Sequence, residues 1–178
     1  MSTTKTAVIY TIGHSTHSIE VFLSMLQSFD IKTVVDIRRF PGSRKYPQFD
    51  QENLKNSLEK AGIQYIHLVD LGGRRKADKD SKNTVWKNES FRGYADYMET
   101  EAFAKGVEQL EQIALKQATA YMCSEAVWWR CHRSMVSDYL KAKGWNVLHI
   151  MNIAKFQEHK YTAPARIVNE KVFYSEET

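Results

Sequence analysis

No stretch of the sequence stays apolar and uncharged for the ~18 residues that a membrane-spanning helix needs, so a bilayer-embedded chain is not expected. The amino-terminal segment MSTTKTAVIYTIG has an apolar stretch too short for a secretory leader and no small-residue cleavage site. Cysteine is scarce: two residues, Cys123 and Cys131, in 178. Two do not make a disulfide framework, and the expected compartment is the reducing cytosol. No repeat and no low-complexity tract occurs. The chain also lacks a G-x-G-x-x-G run, a G-x-x-x-x-G-K-[ST] loop and a G-x-S-x-G elbow. Those absences argue against a dinucleotide dehydrogenase, a P-loop nucleotidase and an α/β-hydrolase. Structural zinc is disfavoured because no short C-x₂₋₄-C pair exists, although Cys123, Cys131, His132 and His14 are ligand types. Neither a metal nor a cofactor is expected. The net charge of +4 permits an acidic partner without demanding one.

What is present is ordinary globular material, 43% hydrophobic and 26% charged, about one domain long. A single α/β domain over residues 1–178 is expected. Residues 7–12 form an apolar, β-branched run ended by Gly13, the pattern of a strand buried on both faces. Ile19, Phe22, Leu23 and Leu26 follow at helical spacing, with Ser18 or Thr16 as cap. Residues 33–37, 63–68, 118–122 and 146–151 read as four further strands. Between them lie helical patterns over about 50–61, 91–116 (as one helix or two) and 132–143. Asp50 is a candidate cap, and Gly62 and Gly144 sit where helices stop. Residues 72–83 read as a long exposed loop. The tail, 152–178, is weakly patterned, with a possible edge strand near 165–168. Alternating strands and helices predict a mostly parallel, open, Rossmann-like sheet of about five strands with helices on both faces.

In such sheets ligands bind outside the carboxyl ends of the strands, and the unusual clusters all follow strands. The first strand ends in Gly13, His14 and Ser15, the second in Asp36, Arg38 and Arg39, the third in Gly72, Gly73 and Arg74, the fourth in Cys123, Ser124 and Glu125. If the strands are parallel, these clusters share one edge. The densest segment runs from Cys123 to Arg133 and enters a helix, where free N–H groups and the helix dipole favour an anion. Arg130 and Arg133 add the fork geometry that suits phosphate or carboxylate. Cys131, so placed, would have its thiolate favoured. A strand, Cys123, a loop, Arg130 and a helix are similar to the phosphate-binding loops of cysteine phosphatases. Here the loop is one residue longer and holds Glu125, Trp128 and Trp129 but no glycine, which weakens the likeness.

Glu125 is the first candidate general acid/base, since desolvation beside two tryptophans would raise its pKa. Asp36 is a possible counterpart, and the competing reading makes both carboxylates salt-bridge partners of nearby arginines. His14 and His132 are candidate proton carriers or ligand contacts. His17, His67, His149 and His159 have no supporting partners in the sequence and read as structural or surface residues. The loops 38–49 and 72–97 mix basic groups with flat rings, a pattern suited to a nucleotide or single-stranded nucleic acid. From them Arg38, Ser43, Arg44, Arg92 and Tyr94, with Trp129, join the candidate ligand contacts. Trp86 and Phe91 read as core packing, and Lys76, Lys79 and Lys82 as solvated loop.

The stretches TIGHS (11–15), DIRRFPGSRKYPQF (36–49), LGGRR (71–75), FRGYADYM (91–98) and CSEAVWWRCHRS (123–134) are specific in their order and joint presence. Through them the chain resembles, over nearly its whole length, the domain-of-unknown-function family DUF488. The resemblance implies an α/β fold and a cytosolic protein of bacterial or archaeal type. It implies no reaction. From the residues, three functions stand open. One is a hydrolase or transferase acting on a phosphate-bearing small molecule, nucleotide or nucleic-acid moiety. The others are a non-catalytic nucleic-acid or nucleotide-binding module, and a thiol-based redox or sensing role. Oligomeric state is not legible.

Overall fold

The computed structural model describes residues 7–176, so residues 1–6 of the segment read for a leader lie outside it. Six strands form one sheet: β1 (Val8–Gly13), β2 (Thr33–Asp36), β3 (Gln64–His67), β4 (Thr119–Cys123), β5 (Asn146–Asn152) and β6 (Lys155–Glu158). Their spatial order is β3-β2-β4-β1-β5-β6. The first five are mutually parallel, and β6 returns antiparallel to β5. The helices are α1 (Ile19–Gln27), α2 (Gln51–Lys60), α3 (Glu89–Tyr97), α4 (Glu101–Lys116) and α5 (Arg133–Ala142). Among the described residues, no helix is long and apolar enough to cross a membrane.

Strand alternation builds two cores. From β1, β2 and β4, the side chains of Ile12, Val34, Ala120 and Met122 pack with Phe22 and Leu26 of α1 and with Leu54 and Leu58 of α2. The other face carries Ile9, Val35, Tyr121 and Cys123 against α3, α4 and α5, through Tyr94, Phe103, Val107, Leu110, Met135 and Val136. Helices therefore cover both faces, as the unbroken apolar runs of β2 and β4 require. The doubly wound dinucleotide fold has the order 3-2-1-4-5-6. Here β4 lies between β2 and β1, so that order is not reproduced.

Several local expectations change. Ser18 caps α1, its hydroxyl accepting from Val21 N–H at 3.2 Å. Asp50 occupies the cap position of α2 but makes no capping bond, because its carboxylate accepts from Ser43 N–H at 3.2 Å instead. Residues 72–83 are not uniformly exposed: Gly72, Gly73 and Asn83 are buried, and Asn83 donates to Asp96 Oδ1 at 2.7 Å. The strand near 165–168 exists as β7 (Arg166–Val168), but it pairs with β8 (Lys171–Phe173) in a separate hairpin. The sheet's edge there is β6, whose four exposed side chains give no burial signal.

Two neighbouring strands send their chain to opposite faces. From β1 it turns into α1, and from β4 into α5, on the other side of the sheet. That divergence opens a crevice between their carboxyl ends, where ligands of open α/β sheets bind.

Candidate functional site

The loops after β1 and β4 are joined by backbone bonds. His14 N–H donates to Cys123 carbonyl at 3.0 Å and Ser15 N–H to Ser124 carbonyl at 2.8 Å. Gly13 makes this approach possible, since a Cβ there would lie 1.7 Å from the Glu125 carbonyl oxygen. Gly72 faces the backbone of Arg39 with 2.7 Å for a Cβ, and Gly73 faces the His132 ring with 2.8 Å. Close approach of neighbouring segments accounts for all three glycines. Beside these loops lies a cleft of about 740 Å³, a size that suits a small organic ligand.

The cleft wall holds His14, Ser15, Arg38, Ser43, Gly73, Arg74, Tyr94, Cys123, Glu125, Arg130, Cys131 and His132 from the sequence candidates. Gly13, Asp36, Arg44, Gly72, Arg92, Trp129 and Arg133 are not part of it. Arg44 and Trp129 point to solvent. Arg92 donates to the carbonyls of Trp86 and Lys87. Arg39, placed in the second strand-end cluster but not among the candidate ligand contacts, and Phe40, which was not singled out, also line the cleft; the basic, aromatic character of their loop was the available signal.

Arg38 is not a free anion clamp. It forms a buried ion pair with Asp36, Nη2 to Oδ2 2.8 Å and Nε to Oδ1 2.9 Å, and its Nη1 donates to Phe49 carbonyl at 2.8 Å. Asp36 also accepts the Tyr65 hydroxyl at 2.6 Å. It is fully buried and anchors the loop rather than facing ligand. Glu125 is exposed, so the expected desolvation does not occur. Trp128 stacks instead on His149, at 4.6 Å between ring centres and 3° between planes. It is the backbone carbonyl of Glu125 that turns inward.

His14 stacks on Phe49 at 4.3 Å, and its Nδ1–H donates to Ser15 carbonyl at 3.0 Å, which leaves Nε2 unprotonated. Burial lowers its pKa from 6.5 to about 4, helped by the Arg38 charge. His132 Nε2–H donates to Ile37 carbonyl at 3.0 Å, so its Nδ1 carries the lone pair, 3.6 Å from Cys131 Sγ. Burial lowers the His132 pKa as well.

Arg133 is the largest fully buried side chain. No carboxylate lies within ion-pair distance among the described residues. Its Nη2 donates to Glu125 carbonyl at 3.0 Å, its Nη1 to Thr11 Oγ1 at 2.9 Å, and its Nε has no partner. From Thr11 a buried chain continues to His149 Nδ1 (2.5 Å), from His149 Nε2 to His159 Nδ1 (2.8 Å), and from His159 Nε2 to Asp138 Oδ1 (2.8 Å). Arginine only donates. The roles that leave no proton of this chain without an acceptor therefore run one way, from Arg133 through Thr11, His149 and His159 to Asp138. Burial, then the Arg133 charge, pushes the His149 pKa far down. Sequence reasoning missed this relay, because Thr11 and His149 are 138 residues apart and no local pattern joins them.

Arg133 also touches the thiols. Its backbone N–H donates to Cys131 Sγ at 3.3 Å, and Cys131 Sγ lies 2.7 Å from Cys123 Sγ. Burial opposes the Cys131 thiolate, yet the Cys123 contact and the Arg133 charge outweigh it and bring the pKa below the usual thiol value. Burial and the Cys131 contact push Cys123 the other way.

The family model for the domain of unknown function DUF488 matches residues 18–140, 123 of the 178. The chain belongs to the DUF488 family. The matched span contains the β2 loop, the 71–75 turn, α3 and the whole Cys123–Arg133 passage, so most of the cleft is DUF488 sequence. His14 and the relay histidines His149 and His159 lie outside it. No curated protein and no solved structure matches this DUF488 chain.

Proposed function

We propose that the protein is a cytosolic hydrolase or transferase acting on a phosphate-bearing small molecule or nucleotide held in the cleft. One observation carries this: Arg39, Arg74 and Arg130 line the cleft without ion-pair partners among the described residues, and Glu125 is the one carboxylate on its wall. Such a surplus of fork-shaped cations favours phosphate. The start of α5 does not present the free N–H groups expected from the sequence, because those of Arg133, Ser134 and Met135 donate to Cys131 Sγ, Cys131 carbonyl and His132 carbonyl. His14 Nε2, unprotonated at physiological pH, faces Arg38 Nη1 at 3.4 Å, and the solvent-exposed Glu125 side chain is the base candidate on the wall. Phe40, 62% exposed, has the guanidinium groups of Arg39 and Arg74 at 5.3 and 5.9 Å from its ring centre. That exposed ring favours a ligand carrying a base, and a single-stranded nucleic acid is the alternative occupant it also suits.

Calorimetric titration with inorganic phosphate, adenosine monophosphate and a short oligonucleotide tests the reading. Wild type should bind the nucleotide, and Arg74→Ala and Arg130→Ala should each weaken it about tenfold, as loss of one charge-assisted bond does. Tighter, steeply salt-dependent oligonucleotide binding would favour the nucleic-acid module. In a screen of phosphate esters, Glu125→Gln and Arg130→Ala should lower turnover. Unchanged turnover in both, or no anion binding at low salt, would overturn the proposal.

A further inference from the structure

We infer that Cys131 and Cys123 form a redox-active dithiol on the floor of the cleft, oxidised by an anionic low-molecular-weight disulfide, with Cys131 attacking first and Cys123 resolving. The dithiol stands on its own geometry, and the preference for an anionic disulfide rests on the proposed function above. Both sulfurs are on the cleft wall, 7% and 2% exposed by residue, and they are the only thiols in the chain. Their 2.7 Å separation is close to the ~2.05 Å of a formed bond. Closing it asks for a shift well under an ångström.

The two thiols are not equivalent. Cys131 immediately precedes the first turn of α5 and accepts the Arg133 N–H. The buried Arg133 guanidinium has no carboxylate partner among the described residues, and its charge favours a thiolate at Cys131. His132 presents its Nδ1 lone pair at 3.6 Å, and Ile37 carbonyl fixes the ring through Nε2. Nucleophile, base and orienting acceptor are thus in line. Cys123 has a carbonyl, Glu125 O at 3.9 Å, as its other neighbour, which keeps the proton on sulfur.

The steps balance as thiol–disulfide exchange. Cys131 thiolate attacks one sulfur of R–S–S–R, a Cys131–S–S–R bond forms, and R–S⁻ leaves. That R–S⁻ takes up the proton Cys131 had given to His132, and Cys123 then loses its own proton to water, which passes it to the second leaving thiolate, as Cys123 attacks Cys131 Sγ. The second R–S⁻ leaves, and a Cys123–Cys131 disulfide remains. The protein loses two electrons and the small disulfide gains them, one disulfide being reduced to two thiols. Buried sulfurs at the foot of a cleft of about 740 Å³ admit a small disulfide more readily than a protein one. Arg39, Arg74 and Arg130 favour carboxylates on it. A transient disulfide of this kind is compatible with a reducing compartment.

The test uses the reduced full chain, oxidised glutathione as the anionic disulfide and cystamine as the cationic one. Free thiols and intact mass are followed with time. Wild type should lose both thiols to glutathione disulfide and keep no adduct, its mass falling by two hydrogen atoms. Cys123→Ser should stop at a glutathione adduct on Cys131, and Cys131→Ser should form none at the same rate. Thiols that stay free in the folded wild type, under conditions that oxidise the same chain in denaturant, overturn the dithiol. An adduct that forms on Cys123 in Cys131→Ser as fast as on Cys131 in Cys123→Ser overturns the order of attack. Glutathione disulfide should react about tenfold faster than cystamine at low salt. Equal rates overturn the anionic preference and leave the dithiol standing.

Discussion

Asp36 and Arg38 illustrate how a residue in a ligand-edge loop is used by the fold. Every direction around the Asp36 carboxylate is occupied: Arg38 Nε and Nη2, Arg38 N–H at 3.0 Å, and the Tyr65 hydroxyl. Burial, then the Asp36 charge, pushes the Tyr65 pKa up, so the phenol stays a donor. A buried pair is weak evidence for stability, yet breaking one partner strands the other charge. Asp36→Asn should therefore cost about 3–5 kcal/mol. The double variant Asp36→Asn/Arg38→Met should recover part of that loss, since it leaves no buried charge behind. Urea unfolding of the three chains measures both. A single variant within ~0.5 kcal/mol of wild type, the range of an ordinary surface change, would contradict the anchoring role.

At the scale of elements, the β1 and β4 loops hold each other, and Gly13 sets how close they come. Its φ is not in the left-handed region, so space rather than conformation demands glycine there. Gly13→Ala should push residues 124–126 outward, strain two interloop bonds and shift the carbonyl that holds Arg133. A loss of about 1–3 kcal/mol is expected from the overpacking. Gly62 is the contrasting case, with φ +79° and open space around it. Gly62→Ala should cost about 1–2 kcal/mol from backbone strain alone and leave Cys131 alkylation unchanged. Gly13→Ala should change that alkylation rate, and an unchanged rate would remove the coupling. These elements were legible to different degrees. β1 and β2 announce themselves as β-branched runs and β4 as a largely apolar one, because they are buried within the sheet. β6 does not, since Lys155, Phe156, Gln157 and Glu158 are all exposed at the edge. The gathering of clusters at one sheet edge followed from parallel strands alone. Which arginines are unpaired in the cleft did not, because Arg38, on the cleft wall, is tied to Asp36 two residues away while Arg39 beside it has no ion-pair partner among the described residues. Strand order has no local signature, so the placing of β4 beside β1 emerges only in three dimensions.

Across the whole molecule three histidines, His14, His132 and His149, have pKa values lowered in each case first by burial. In the unfolded chain each would titrate near 6.5. As pH falls through that value the unfolded state takes up protons that the native state refuses. The unfolded state then binds more protons, and stability rises with pH across the window. Above about pH 7 these groups contribute no slope, because both states are neutral. For His14 the window runs from 6.5 down to about 4, and the full loss across it is about 3 kcal/mol. His132 and His149 add to it in the same direction. A loss of that size is a large part of the ~5–15 kcal/mol that holds a typical domain together. The thermal midpoint should therefore lose the histidine slope above pH 7 and fall steadily between pH 6.5 and 4.5, with relay and cleft unfolding together. His14→Gln should flatten part of the slope. A midpoint independent of pH down to 4.5 would mean that the native state accepts these protons, and the neutral imidazoles that orient Arg133 and face the thiols would lose their physical basis.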